Sequence, residues 1–308
     1  MPIALIESLD HEGRGVTRPE GKAIFVEGAL PGERVEYVVR RARPSYEQAE
    51  AVRILKPSAQ RVAPRCRHYG TCGGCSMQHL DAIAQAVAKQ RILEDALWHI
   101  GKLRPGIIYP AIHGPAWGYR YRARLGVRLV PSKGGLRVGF HERRSSYIVD
   151  MRECPVLPPA ISAMLPRLRE MIEGLSIADR LPQVEIAIGD EATVFVFRNL
   201  QPFNRTDLKR LSAFAEAEGI QVWQQPNGPD SATPLHPLAG PALAYTLPEF
   251  DVRMDFRPAA FTQVNVHINR LLIRRAMQLL APQPGARIAD LFCGLGNFSL
   301  PIARRGAQ

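Results

Sequence analysis

Over the first 57 residues apolar and polar positions alternate in short runs, at Pro2 to Leu9, Lys22 to Val26, Arg34 to Arg40 and Glu47 to Leu55. Turn-forming stretches, His11-Glu12-Gly13-Arg14-Gly15 and Leu30-Pro31-Gly32-Glu33, break the pattern between them. Period-two alternation in runs this short marks strands that bury one face, and the punctuation predicts a small five-stranded barrel of the OB type. From Leu80 to Ile100 the period lengthens. Ile83, Val87, Ile92, Ala96 and Ile100 recur at helical spacing and Gly101 supplies a stop, so one long amphipathic helix is predicted.

Strand-like alternation resumes at Tyr119 to Val130, Leu136 to Glu142 and Tyr147 to Met151, with a turn at Pro131-Ser132-Lys133-Gly134-Gly135. A helix over Pro158 to Glu173 and strands at Gln183 to Ile188 and Thr193 to Phe197 complete a mixed α/β region. The Pro- and Gly-rich residues 226 to 241 read as a surface loop. Beyond it, Val266 to Leu280 is an amphipathic helix, and Ala286 to Phe292 is a short apolar strand running into Gly294 and Gly296. That order opens a doubly wound domain. The expected class is therefore α/β plus β-barrel, with domains at 1–57, 58–255 and 256–308, the last holding only the start of its sheet. No internal repeat or low-complexity tract interrupts it.

Cys66, Cys72 and Cys75 are spaced C-x5-C-x2-C, with Gly73-Gly74 giving the backbone freedom to wrap a bound centre. A fourth donor is expected, and Cys154, followed by Pro155, is the remote candidate. The spacing suits an iron-sulfur cluster. A zinc site stays open, although only one C-x2-C pair is present, and so does a redox pair at Cys72 and Cys75.

Asp290-Leu291-Phe292-Cys293-Gly294-Leu295-Gly296-Asn297 lies between a predicted strand and a helix, where glycines let the backbone pass close under a nucleoside cofactor. A dinucleotide fingerprint would place glycine at 299, where this chain has Ser299. The order D-x3-G-x-G fits S-adenosylmethionine better; an ordinary strand-to-helix turn is the plainer alternative. Ahead of the preceding helix, Phe261-Thr262-Gln263-Val264-Asn265 offers amides for a ligand or, more simply, a helix cap at Asn265. Cys293 reads as a small buried residue rather than a nucleophile.

Lys plus Arg number 40 against 29 Asp plus Glu, a formal charge of +11 that favours a polyanionic partner. No apolar stretch approaches the roughly 20 residues that span a bilayer, and the acidic start at Glu7, Asp10 and Glu12 lacks a signal-peptide profile. A cytoplasmic, monomeric protein without membrane partners is expected. Five cysteines clustered in this way argue for metal or redox chemistry over a disulfide framework.

In chain order, C-x5-C-G-G-C at Cys66 to Cys75, Gln78-His79, Cys154-Pro155, Phe261-x-Gln263-x-Asn265 and the run from Asp290 to Phe298 resemble the RNA uracil-5-methyltransferase family. The resemblance covers essentially the whole chain. It implies a TRAM-type OB domain, a central iron-sulfur domain and the start of a Rossmann-like methyltransferase domain. Cys66, Cys72, Cys75 and Cys154 match ligands of a [4Fe-4S] cluster, and Gln263, Phe292 and Asn297 match contacts to S-adenosylmethionine. Arg124, with Arg120 and Arg122 beside it, matches a basic position facing RNA; a solvated strand face is the alternative for each. The implied reaction methylates uridine C5, with 23S rRNA the expected partner: a cysteine thiolate adds to C6 of a flipped-out base, C5 takes the methyl group, and a carboxylate removes the C5 proton. Because the family places that cysteine and carboxylate after the glycine loop, no catalytic residue is expected within this chain, which is expected to be truncated and inactive. A non-catalytic RNA-binding module, with iron-sulfur or zinc, and a tRNA-modifying relative are the competing readings.

Overall fold

Alternation in the amino-terminal stretch becomes six strands: β1 (Ile3–Leu5), β2 (Ser8–Leu9), β3 (Gly15–Thr17), β4 (Ala23–Glu27), β5 (Arg34–Ala42) and β6 (Tyr46–Lys56). They form one sheet in the order β1-β5-β6-β4-β3-β2. The first predicted strand is split at Ile6 and Glu7, whose amides donate to the carbonyls of Glu33 and Val16. The bend lets one run of chain pair with β5 at one edge and β3 at the other, which curls the sheet towards closure. Ile6, Val26, Ala29, Val35 and Ala49 fill the interior. At Gly15 a Cβ would lie 2.8 Å from Ile6 Cγ2, so only glycine lets the strand pass there.

The computed structural model describes residues 1–308, the side chain of Lys133 apart. Its chain divides into two units, Met1–His113 and Gly114–Gln308. The first unit continues through the cysteine segment into α1 (Ala82–His99), capped by Asp81, whose carboxylate accepts from the amides of Ile83 and Ala84. The predicted apolar face docks only in part. Ile83, Val87 and Ile100 are exposed, whereas Ala84, Ala88 and Ile92 pack over Leu9, Leu30 and Leu80. Two alanines allow the helix to approach closely enough for Ile92 to dock, and the larger Ile83, Val87 and Ile100 stay exposed.

The second unit is built on β7 (Arg122–Val130), β8 (Gly135–Gly139), α2 (Pro159–Glu173), β9 (Gln183–Ile188), β10 (Thr193–Arg198), α3 (Arg205–Glu218), β11 (Gln221–Gln225) and β12 (Thr233–His236). The sheet order is β12-β11-β10-β9-β7-β8, with β10 and β11 parallel. Along β10, Val194 and Val196 face Ala232 and Leu243, and Phe195 on the opposite face meets Phe214 of α3. Both faces of this strand are covered, which is why it reads as an unbroken apolar run. Predicted strand Tyr147 to Met151 is reduced to one isolated bridge, His141 to Ile148. Part of the predicted loop at 226–241 is instead β12.

The hairpin β13 (Ala244–Leu247) and β14 (Val252–Asp255), then α4 (Val266–Leu280) and α5 (Ser299–Arg304), close the chain around Tyr245, Phe250, Met254, Ile273, Met277 and Ile302. α4 matches the periodicity end to end. The strand predicted at Ala286 to Phe292 does not form. Among the described residues its ladder-like partner is the stretch Gly306 to Gln308: Gly285 N–H donates to Gly306 O, Ile288 N–H to Gln308 O, and Gln308 N–H to Ala286 O. Three such bonds fix the segment without making a strand of it. No helix among the described residues is long and apolar enough to cross a membrane.

Candidate cofactor and nucleic-acid site

The glycine loop is tied at both ends by side chains. Ser299 Oγ, at the first position of α5, donates to Asp290 Oδ2 at 2.6 Å. The serine that departs from a dinucleotide fingerprint thus closes the loop onto the aspartate that opens it. Gly294 and Gly296 take φ values of 59° and 89°, left-handed conformations that glycine adopts without strain. Phe292 does the same at φ 62°, where a side chain is disfavoured by about 1–2 kcal/mol, and its ring is fully exposed. Backbone strain of this kind clusters at functional sites. Cys293 is exposed, contrary to the buried position expected of it.

Asn297, by contrast, is held from below. Its Oδ1 accepts from the Tyr245 hydroxyl at 2.9 Å and from Asn269 Nδ2 at 3.0 Å, while its Nδ2 donates to Asn269 Oδ1 at 2.8 Å. Burial pushes the Tyr245 hydroxyl up to about 12, so it stays a proton donor. Asn269 lies one turn into α4, so this pair fastens the loop to the amino-terminal end of that helix. Asn265 is the helix cap, its Oδ1 accepting from Ile268 N–H at 3.0 Å, and Gln263 is exposed just before it.

Arg122 is held from several sides. Its guanidinium donates to Glu185 Oε1 at 2.8 Å and to Thr262 Oγ1 at 3.3 Å, and also to the carbonyls of Pro258 and Ala260. The side chain is an internal anchor with its donors turned inward. With Tyr121 N–H donating to Val264 O at 2.8 Å, it pins the segment that carries Gln263. Arg120 donates to Arg122 O and lies over the Phe140 ring at 5.0 Å. Arg124 alone of the three is well exposed, at 68%, with Glu185 Oε2 3.6 Å from its guanidinium. It lines a cavity of 490 Å³ together with Arg128 and His141.

Cys66, Cys72 and Cys75 belong to the first unit and Cys154 to the second. Cys72 and Cys154 are buried, and Gly74 N–H points at Cys72 Sγ at 3.4 Å. The loop is otherwise braced by its own polar links: Gln78 Oε1 accepts from Cys66 N–H at 3.1 Å and Ser76 O from the Tyr69 hydroxyl at 2.7 Å. As a donor set, four thiols suit an iron-sulfur centre. Among the described residues, however, no three or more cysteine, histidine, aspartate or glutamate side chains are grouped so as to hold a metal ion. The structure gives the expected cluster no support.

Residues 4–52 match the TRAM domain family. The solved tRNA (uracil-54, C5)-methyltransferase of Pyrococcus abyssi, in complex with S-adenosyl-L-homocysteine, is similar in fold, with a TM-score of 0.69 at 22% identity over 99% of this chain and 71% of that one. The chain is thus a TRAM-containing protein with the fold of that methyltransferase. At the level of sequence, the 23S rRNA (uracil(1939)-C(5))-methyltransferase RlmD of Azoarcus sp. (strain BH72) is 71% identical over 307 residues, spanning 100% of this chain and 71% of that protein. RlmD of Bordetella parapertussis is 59% identical over 303 residues, 98% of this chain and 65% of that protein. The chain belongs to the RlmD family of 23S rRNA (uracil-C5)-methyltransferases. These matches run through the whole of this chain and span 71% and 65% of those two proteins, and they lend the expected inactivity no support.

Proposed function

We propose that this chain serves S-adenosylmethionine-dependent methylation of uridine C5 in 23S rRNA, with Gln263, Phe292 and Asn297 contacting the cofactor. The observation that carries the reading is the glycine loop itself: an exposed Phe292 held at positive φ beside an Asn297 fixed by three side-chain hydrogen bonds, in a chain 71% identical to an RlmD. The cofactor, when bound, supplies an electrophilic methyl group. The loop's part is to bind and orient: Phe292 offers a ring face and Asn297 a hydrogen-bonding edge, while Arg122 and the α4 cap hold Gln263 at the same helix end. The identity to rRNA-directed relatives, against 22% to the tRNA-directed structure, favours 23S rRNA over tRNA. Arg124, with Arg128 beside it, supplies exposed positive charge for RNA phosphates.

The same reading takes Cys66, Cys72, Cys75 and Cys154 as ligands of a [4Fe-4S] cluster. Support comes from the C-x5-C-x2-C spacing and the family resemblance. Iron and sulfide determination on anaerobically purified protein tests it, and a chain free of both refutes it.

Calorimetric titration with S-adenosylmethionine tests the cofactor site. Removing a hydrogen bond or a stacking contact worth about 1.4 kcal/mol weakens binding roughly ten-fold, the loss expected for Asn297→Ala and Phe292→Ala. Unchanged affinity in both variants, or no binding by the parent chain, overturns the assignment.

A further inference from the structure

We propose that Asn269 and Tyr245 are positioning residues that lock the Asn297 amide so that it meets its ligand as a hydrogen-bond donor. This deepens the cofactor reading given above and rests on it.

An asparagine amide has two acceptor lone pairs and two N–H donors. In Asn297 both lone pairs of Oδ1 are taken, by the Tyr245 hydroxyl at 2.9 Å and Asn269 Nδ2 at 3.0 Å, and one N–H goes to Asn269 Oδ1 at 2.8 Å. What remains is a single N–H. The two amides form a reciprocal pair, which a rotation of Asn297 alone would break at both bonds. Rotating both amides together would keep the pair but turn an N–H donor towards the Tyr245 hydroxyl in place of an acceptor. The hydroxyl could accept that N–H, but its own hydrogen would then lose the one acceptor recorded for it among the described residues, at a side chain only 7% exposed; this cost sets the sense of the pair, and Asn269, only 4% exposed, has no alternative partner in water. The site therefore selects an acceptor on the ligand: a carboxylate, hydroxyl or ring-nitrogen lone pair of S-adenosylmethionine.

Binding of S-adenosylmethionine to the full chain is measured by calorimetry for Asn297→Ala, Asn269→Ala, Tyr245→Phe and the double variant Asn269→Ala/Asn297→Ala, each checked for its fold by circular dichroism. Asn269→Ala is expected to weaken binding about ten-fold, as Asn297→Ala does, and Tyr245→Phe by about three- to ten-fold. In the Asn297→Ala background the Asn269 substitution should add less than about two-fold, because a positioning residue has nothing left to position. Asn297→Asp, which offers acceptors only, should bind no better than Asn297→Ala. If Asn297→Ala weakens binding while Asn269→Ala and Tyr245→Phe do not, the positioning role is wrong and the cofactor reading stands. Additive losses in the double variant also overturn it. If Asn297→Ala has no effect, the cofactor reading fails first. Should Asn269→Ala not fold, Tyr245→Phe, which keeps the ring and removes only the hydroxyl, carries the same test.

Discussion

Glu33 offers a stringent test of how the amino-terminal barrel is held. Its side chain is 0% exposed, and its two oxygens accept four hydrogen bonds. Oε1 takes Ser58 N–H at 3.0 Å and Arg61 Nε at 2.5 Å; Oε2 takes Leu30 N–H at 2.8 Å and Arg61 Nη2 at 2.7 Å. A carboxylate satisfies all four donors. Glu33→Gln keeps the shape but sets an NH2 group against two of them, losing two bonds to a charged acceptor at about 1.5–3 kcal/mol each and leaving Arg61 without its counter-charge. The expected destabilisation is about 3–5 kcal/mol, the range for breaking a buried pair, and about 4–8 °C of melting temperature per kcal/mol in a domain of this size. Burial alone would raise the Glu33 pKa, but Arg61 and the Ser58 and Leu30 amides outweigh it and hold it below the ordinary 4.5. A lowered folded-state pKa means stabilisation that is complete above about pH 4.5 and is lost as pH falls through the folded value. Urea unfolding followed by circular dichroism from pH 3 to pH 7 reads both effects, with Glu36→Gln as control: its partner Arg53 is 66% exposed, and less than about 1 kcal/mol is expected. A Glu33→Gln protein within about 1 kcal/mol of the parent, or with the same acid dependence, refutes the reasoning.

Three further outcomes follow from the second unit. Arg122→Lys keeps the charge but not the planar fork that reaches Glu185, Thr262 and two carbonyls, so S-adenosylmethionine affinity should fall about ten-fold in calorimetry on a protein that still folds. Arg124→Ala should weaken 23S rRNA fragment binding across sequences and reduce the slope of log affinity against log salt by about 1, measured by filter binding. Asp207→Ala removes a carboxylate that accepts from Ser176 N–H at 2.8 Å and Ser176 Oγ at 2.6 Å, and should destabilise by about 1–3 kcal/mol in urea. Although burial raises its pKa, these hydrogen bonds bring it below 3.8, so the difference between the two proteins should shrink only as pH falls through that lowered value.

What the sequence revealed and what it hid divide along the range of the interactions involved. α4 was legible to its last residue because a 3.6-residue period and a cap at Asn265 are both local. α3 carried the same kind of signal, Asn204 and Asp207 in a capping box with Gly219 at the end, yet its buried stripe of Leu211, Phe214 and Ala215 is too narrow to stand out among charged neighbours. The run from Ala286 to Phe292 has strand composition, but a strand exists only through its partners, and none is visible in the run itself.

The site repeats this division at the level of single side chains. Gln263, Phe292 and Asn297 announced themselves because each sits in a short motif. Arg122 and Arg124 share one face of β7 and the same arginine-rich stretch, so no local pattern separates them. They part company because a segment 138 residues away supplies carbonyls to one and leaves the other to solvent. Asn269 and Tyr245 are likewise unremarkable in sequence, and become specific only where α4, β13 and the glycine loop converge on Asn297. Ser299 looked like a departure from a fingerprint until its hydroxyl was found on Asp290. In this chain the residues proposed to face the cofactor are readable from motifs, whereas those proposed to aim them are set by contacts between distant segments. A substitution at Asn269 or Arg122 should therefore act on the ligand through residues it does not itself replace.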